Sequence, residues 1–311
     1  MTVVDNLLGS ILLGVLIACV LYGATTLQTF MYMQTYPKDP RFLKIMVAIL
    51  WGIETLHTGF CMQFIYEYTI TNFGNLEFMS TIYWAGSLTV LLGILIQLIV
   101  HSFYIRRVWI LTNGSLLFTA PLVLLAGCRF GFGIATTAYS YVIVSWANFR
   151  LNKGPLVTLS VGIGCSACID VAVAAILIYH LRKGRNGWKS SDGMLTWLSV
   201  YTINTGALTS IFSVITVLLF ATEKNSIIFM AFVEMQSKLY ANSFLGSLNA
   251  RQHIRNKYND QSSFALSARS QFKAATPARV DIFQDTIITE DTGTAATQPM
   301  AFADKKRDEL V

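Results

Sequence analysis

The sequence predicts an all-α, polytopic membrane protein of seven transmembrane helices, with the N-terminus outside and the C-terminus in the cytoplasm. Three observations carry that expectation. Apolar stretches of about 20 residues or more, the length that crosses a bilayer, recur along the chain. Of its 311 residues 54% are hydrophobic and only 13% charged, with a mean hydropathy of +0.53. A soluble domain would carry about 25% charged residues. The third observation is that Lys and Arg crowd into alternate loops, the bias that orients membrane helices.

The first span, 7–32, follows only six residues without a basic stretch and is too long for a signal-peptide core, so it reads as a retained helix. A loop with two prolines and three basic residues (35–44) leads to the second span, 42–66. The loop 67–80 has no Lys or Arg, and the third span, 81–105, stops at Arg106 and Arg107. The fourth, 115–139, holds Pro121 and Arg129, and Gly127, Gly131 and Ala135 at four-residue spacing offer a close-packing face. The fifth, 156–181, opens on Pro155, a favoured first-turn residue, and a basic turn (182–192) separates it from the sixth, 195–220. The seventh is 227–249. Residues 1–250 thus form the transmembrane domain, and 251–311 read as a disordered cytoplasmic tail, polar and with nine basic against eight acidic residues.

With the N-terminus outside, the three inner loops and the start of the tail carry twelve Lys or Arg, against three on the outer side (Arg150, Lys153, Lys224). The only Asn-x-Ser/Thr sequon, at Asn113, then faces the cytoplasm. The net charge of +6 sits in these short loops, so no basic domain exists for nucleic acid. All five cysteines lie within apolar spans, which argues against a secreted disulfide framework. Cys165 and Cys168 form an isolated C-x-x-C on one helix, better read as packing residues than as zinc ligands. The glycines at 127–133 follow no strand and make no dinucleotide loop.

The candidate site is a set of polar residues inside the spans: Glu54, His57, Arg129, Asp170, Asn204, Glu234, Lys238 and Asn242. Steps of four place 234, 238 and 242 on one stripe of the last span. A charge at this depth must face the protein interior and find a partner, so the last span is expected to be wrapped by its neighbours. Glu54, Asp170 and Glu234 face Arg129, Lys238 and a titratable His57, close to neutrality for one shared network. Glu234 and Lys238 also stand in the favourable i,i+4 order. Glu54 and His57, three apart on one face, are spaced to bind a metal or relay protons, with structural pairing the favoured reading. Two readings remain open. The groups either fasten the helices together or line a ligand or ion pathway. His101, His180, Arg106 and Arg107 lie where helices meet the cytoplasm and fit interfacial snorkelling. Trp109, Trp146, Trp188 and Trp197 fit an aromatic belt, and Trp51 is expected against Glu54 or His57.

Several phrases carry a family resemblance: LWGIETLH (50–57), QLIVHSFYIRR (97–107), Asp170 after Cys168, YTINTGALTS (201–210) and KLYANSFLGSLNAR (238–251). Together they resemble a family of fungal multi-pass membrane proteins catalogued as domain of unknown function 6534, most closely over 165–252. Position 54 departs from it, with Glu where that family favours Asp. The resemblance implies an integral membrane protein of seven helices and brings no activity.

The expected function is therefore that of a receptor- or sensor-like bundle, with a transporter or channel for a small solute or proton as the alternative. Tyr104-Ile-Arg106-Arg107 is not the Asp-Arg-Tyr of rhodopsin-like receptors, and the last span lacks their Asn-Pro-x-x-Tyr. No span carries H-x-x-x-H, so an enzyme is not expected, nor a metal, catalytic residue or cofactor. The expected partners are the lipid bilayer, a small-molecule ligand and a cytoplasmic partner of the tail. The Asp-Glu-Leu near the C-terminus is followed by Val311 on the cytosolic side, so luminal retrieval is not expected, and the plasma membrane is favoured over internal membranes.

Overall fold

A computed structural model of the chain describes residues 8–183, 189–223 and 226–273, with side chains for all of these except 181–205 and 252–273. Two compact units divide the chain, Met1–Phe264 and Ala265–Val311. The helices that matter here belong to the first; of the second, only helical residues up to Lys273 are described.

The described residues form α1 (Ser10–Thr35), α2 (Arg41–Tyr66), α3 (Leu76–Met79), α4 (Trp84–Leu111), α5 (Leu116–Val142), α6 (Trp146–Leu151), α7 (Lys153–Lys183), α8 (Lys189–Thr222) and α9 (Ile228–Lys273). Pro40 is extended, with ψ 142°, and α2 starts on the next residue. Asn75 opens α3 by accepting a hydrogen bond from the Phe78 amide at 3.1 Å. Pro121 is accommodated inside α5, near its N-terminus. The sequence places the end of the third span at residue 105, yet α4 continues to Leu111. It ends in a turn where Asn113 (φ 53°) and Gly114 (φ 80°) are left-handed. A side chain at 114 would crowd Trp109 at 3.3 Å, a second reason for glycine there.

Five of these helices are long and apolar enough to cross a membrane: Ser10–Thr35, Arg41–Thr71 (α2 with its π-helical extension), Trp84–Leu111, Leu116–Val142 and Lys153–His180. Gly206–Thr222 within α8 is a shorter apolar stretch. Their outward faces carry large apolar side chains such as Val20, 74% exposed, and Leu117, 77% exposed. So much exposed hydrocarbon suits a lipid surround and not water.

The last helix is the axle. Residues 234–238 are all buried, five in succession, which a helix with one lipid or water face cannot achieve. Where α1 crosses it, a Cβ at Gly14 would lie 2.5 Å from Ala231 Cβ, so glycine sets the closeness of that contact. Among the described residues a Cβ at Gly127 or Gly131 would meet no neighbour within 4 Å, so the expected packing face is not seen there. Instead Gly133, two residues off that stripe, packs against Ile94, and Gly162 of α7 packs against Arg129. The tail expected from Arg251 begins as helix, because α9 runs on to Lys273.

The buried apolar side chains form two clusters. One gathers Leu50, Val100, Tyr104, Ile169, Phe244 and their neighbours; the other gathers Ile11, Phe64, Trp146, Phe149, Phe220 and Phe229. Glu54 and His57 of α2, Thr89 of α4, and Glu234 and Lys238 of α9 lie between them along the chain, so apolar packing flanks this polar group on either side.

Candidate functional site

The ionisable residues do not form one network. They separate into two clusters that share α4 and α9, the first adding α2 and the second α5, α7 and α8. In the first, Lys238 of α9 is fully buried and pairs with Glu54 of α2, Nζ to Oε2, at 2.5 Å. The other ammonium hydrogens go to Thr58 Oγ1 (2.7 Å) and the Glu54 carbonyl (3.2 Å), and the Tyr22 ring of α1 lies 5.5 Å away. Lys238 is thereby saturated. Its expected i,i+4 partner, Glu234, turns elsewhere. Glu234 accepts from Thr89 of α4 (2.7 Å) and from the Cys61 thiol (3.0 Å), and its Oε2 lies 3.4 Å from His57 Nε2. Glu54 and His57 therefore point to different α9 residues, and no contact between their side chains is seen.

His57, Cys61 and Glu234 place one ligand atom each within 4.8 Å of one another, all buried. Such a donor set suits a borderline cation such as zinc; the sequence offered His57 with Glu54 for a metal, and the structure sets Cys61 and Glu234 beside His57 instead. Here the thiol hydrogen bonds Glu234 instead, and the imidazole meets Cys61 Sγ (3.3 Å) and Ser237 Oγ (3.3 Å). The spacing of His57 and Cys61, four apart on α2, could have flagged the pair; that Glu234 completes it depends on how α9 packs.

The second cluster centres on Asp170 of α7. Its Oδ2 accepts from Tyr240 of α9 and Thr209 of α8, each at 2.6 Å, and its Oδ1 lies 3.4 Å from His101 Nε2 of α4. His101 is 1% exposed and sits edge-on to the Tyr240 ring, so it is a core residue and does not snorkel as the sequence suggested. From Tyr240 the contacts continue: its hydroxyl is 3.2 Å from Ser166 Oγ, which is 3.4 Å from Gln97 Oε1, which accepts from Arg129 Nε at 2.8 Å. Four helices besides α8 contribute to this line. Tyr240, Gln97 and Ser166 were not legible as site residues, since tyrosine, glutamine and serine are ordinary in helix cores.

Two cavities flank the line. About 330 Å³ of unfilled space lies beside Asp170, bordered by His101, Tyr104, Tyr240 and Ser243. About 560 Å³ lies at the Arg129 end, between α4, α5, α7 and α9. Trp146 and Phe149 of α6 close it, and the loops there are stitched by backbone bonds, Ile82 N to Val144 O at 2.5 Å and Trp146 N to Ser80 O at 3.0 Å. Arg150, beside them, donates to the Leu219 and Phe220 carbonyls at the end of α8 and lies between the Phe220 and Phe229 rings. Burial lowers the affinity of its guanidinium for the proton, an effect Glu223 opposes.

The remaining polar candidates serve elsewhere. Asn242 donates to the Leu21 carbonyl of α1 at 3.0 Å and to the Lys238 carbonyl at 2.9 Å, and touches no ionised side chain. Trp51 is 38% exposed and bonds Thr26 of α1, away from Glu54 and His57. Trp146 is buried among aromatic rings and so belongs to the core, not to an exposed belt. The side chains of Asn204, Trp188 and Trp197 lie outside the described residues.

Residues 166–253 match the model of a family of unknown function (DUF6534). The matched segment holds Asp170, Glu234, Lys238 and Tyr240, while their partners Glu54, His57, His101 and Arg129 precede it. No curated protein and no solved structure matches the chain.

Proposed function

We propose that the chain is a seven-helix receptor or sensor of the plasma membrane, N-terminus outside and C-terminus in the cytoplasm, without enzymatic activity. In this reading α8 and α9 add two crossings to the five apolar helices. Glu234, Gln236, Ser237 and Lys238 of α9 are all buried in the protein, which supports a crossing by a helix of lower hydropathy than a lipid-facing one. The twelve-to-three bias of Lys and Arg supports the orientation.

The observation that carries the sensor reading is the line of side chains from the larger cavity to α9. A ligand that draws Arg129 away from Gln97 frees Gln97 from one of its two partners, and Ser166 and Tyr240 follow in turn. Tyr240 stands on the helix that continues to Lys273, so occupancy of the cavity and the position of α9 are linked.

Transport is the second reading, favoured by the buried Lys238–Glu54 and Glu234–His57 pairs. One experiment separates the two: Lys238→Ala in reconstituted vesicles. A sensor shows no proton or solute flux in either form, and the variant loses thermal stability. A transporter shows wild-type flux that disappears in a variant that still folds, which would overturn the sensor reading.

A further inference from the structure

Among the described residues, the larger cavity holds a cation, Arg129, without an anion. We infer that it binds a long-chain carboxylate, the headgroup at Arg129 and the chain running toward the loops that close the cavity. This names the ligand class for the sensor proposed above and rests on that reading.

Among the described residues Arg129 forms no ion pair, and its one hydrogen bond uses Nε. The two terminal amino groups of the guanidinium are left for a partner, in the fork geometry that grips a carboxylate. A charge held this deep costs several kcal/mol when unmatched, so an entering anion is favoured strongly. Gly162 makes the space: a Cβ there would come within 3.1 Å of Nη1.

The rest of the cavity is shaped for a chain. Its walls include Val90, Ile94, Leu159, Ile163, Met230 and Val233. Along α5, Arg129, Gly133, Thr136 and Ser140 line one face, a run of about 16 Å at ~1.5 Å per residue. Ser87 lines the cavity from α4, is 2% exposed, and its hydroxyl has no partner. It lies about 15 Å from Gln97 along that helix, so a polar group far along the chain would find a hydrogen bond there. Because bilayer lipid is as apolar as the walls, the chain gains little by entering, and the headgroup decides binding.

The test is equilibrium binding of hexadecanoate and of hexadecanol to the full chain in nanodiscs of neutral lipid. Hexadecanoate should saturate one site per chain, with hexadecanol at least thirtyfold weaker, the equivalent of the ~2 kcal/mol lower bound for a buried charge pair. R129M should reduce the acid to the level of the alcohol and R129K should retain part of its affinity. V90F, which fills the cavity, should remove binding of both probes. If the alcohol binds within threefold of the acid and V90F abolishes both, the cavity reading stands and the carboxylate inference falls. If neither probe binds above the V90F level, the sensor reading falls with it. The acid–alcohol comparison on the wild type is decisive even where a variant fails to fold.

Discussion

Replacing Lys238 by methionine keeps most of the length of the side chain, one atom short, and removes its charge. The structure shows what is left behind. Glu54 is buried, its Oε1 already lacks a partner, and Oε2 loses the 2.5 Å bond to the ammonium. Breaking a buried ion pair from one side costs about 3–5 kcal/mol. At ~2–4 °C per kcal/mol for domains of 150–250 residues, and less for a longer chain, that is a fall of about 5–15 °C in Tm. The double variant K238M/E54L strands no charge. Replacing both members of a buried pair by apolar groups is commonly neutral or stabilising by about 1–4 kcal/mol, so most of the loss should return. Thermal unfolding of the four proteins in one detergent, at one scan rate, closes the cycle. Single variants that lose less than 2 °C, or a double variant worse than the sum of the singles, would refute the argument that the pair is shielded from water and lipid.

Other outcomes follow from the same geometry. Y240F retains the ring against His101 but removes the bond to Asp170, so a loss of about 1.5–3 kcal/mol is expected in thermal melts. An unchanged Tm would place the hydroxyl outside the network. G14V forces a side chain into Ala231 of the central helix, and overpacking costs about 1–3 kcal/mol; G127V, where nothing lies within 4 Å, should melt like the wild type. Arg150 ties α6 to the end of α8, so R150A should cost about 2 kcal/mol and R150K should not restore it, because an ammonium cannot lie flat between Phe220 and Phe229. For topology, E77T creates a sequon at Asn75 in the exposed segment around α3. It should acquire a glycan on expression in a eukaryotic host while Asn113 stays bare; a glycan on Asn113 would reverse the proposed orientation.

Much of the bundle is legible in the sequence because the bilayer imposes a simple code. A stretch that meets lipid must be apolar for about 20 residues, and α1, α2, α4, α5 and α7 follow from that rule alone. Helix ends are less legible: α4 passes Arg106 and Arg107 because long basic side chains extend away from their backbone and do not stop a helix. The interior yields least. His101 sits five residues before Arg106 and reads as interfacial, yet the packing of α7 and α9 turns Asp170 and Tyr240 onto it.

By itself the sequence determined that Glu54, Asp170, Glu234 and Lys238 had to be enclosed, because hydrocarbon does not solvate charge. It also marked the last apolar helix, rich in polar residues, as the one to be surrounded. Which charge meets which was decided only in the tertiary structure. Lys238 has a carboxylate one helical turn away on its own helix and takes Glu54, 184 positions distant, because α2 packs closely against that side of α9. Partner choice among buried groups depends on rotations of whole helices by a few tens of degrees, and those are set by small residues such as Gly14, Gly133 and Gly162 at the crossings.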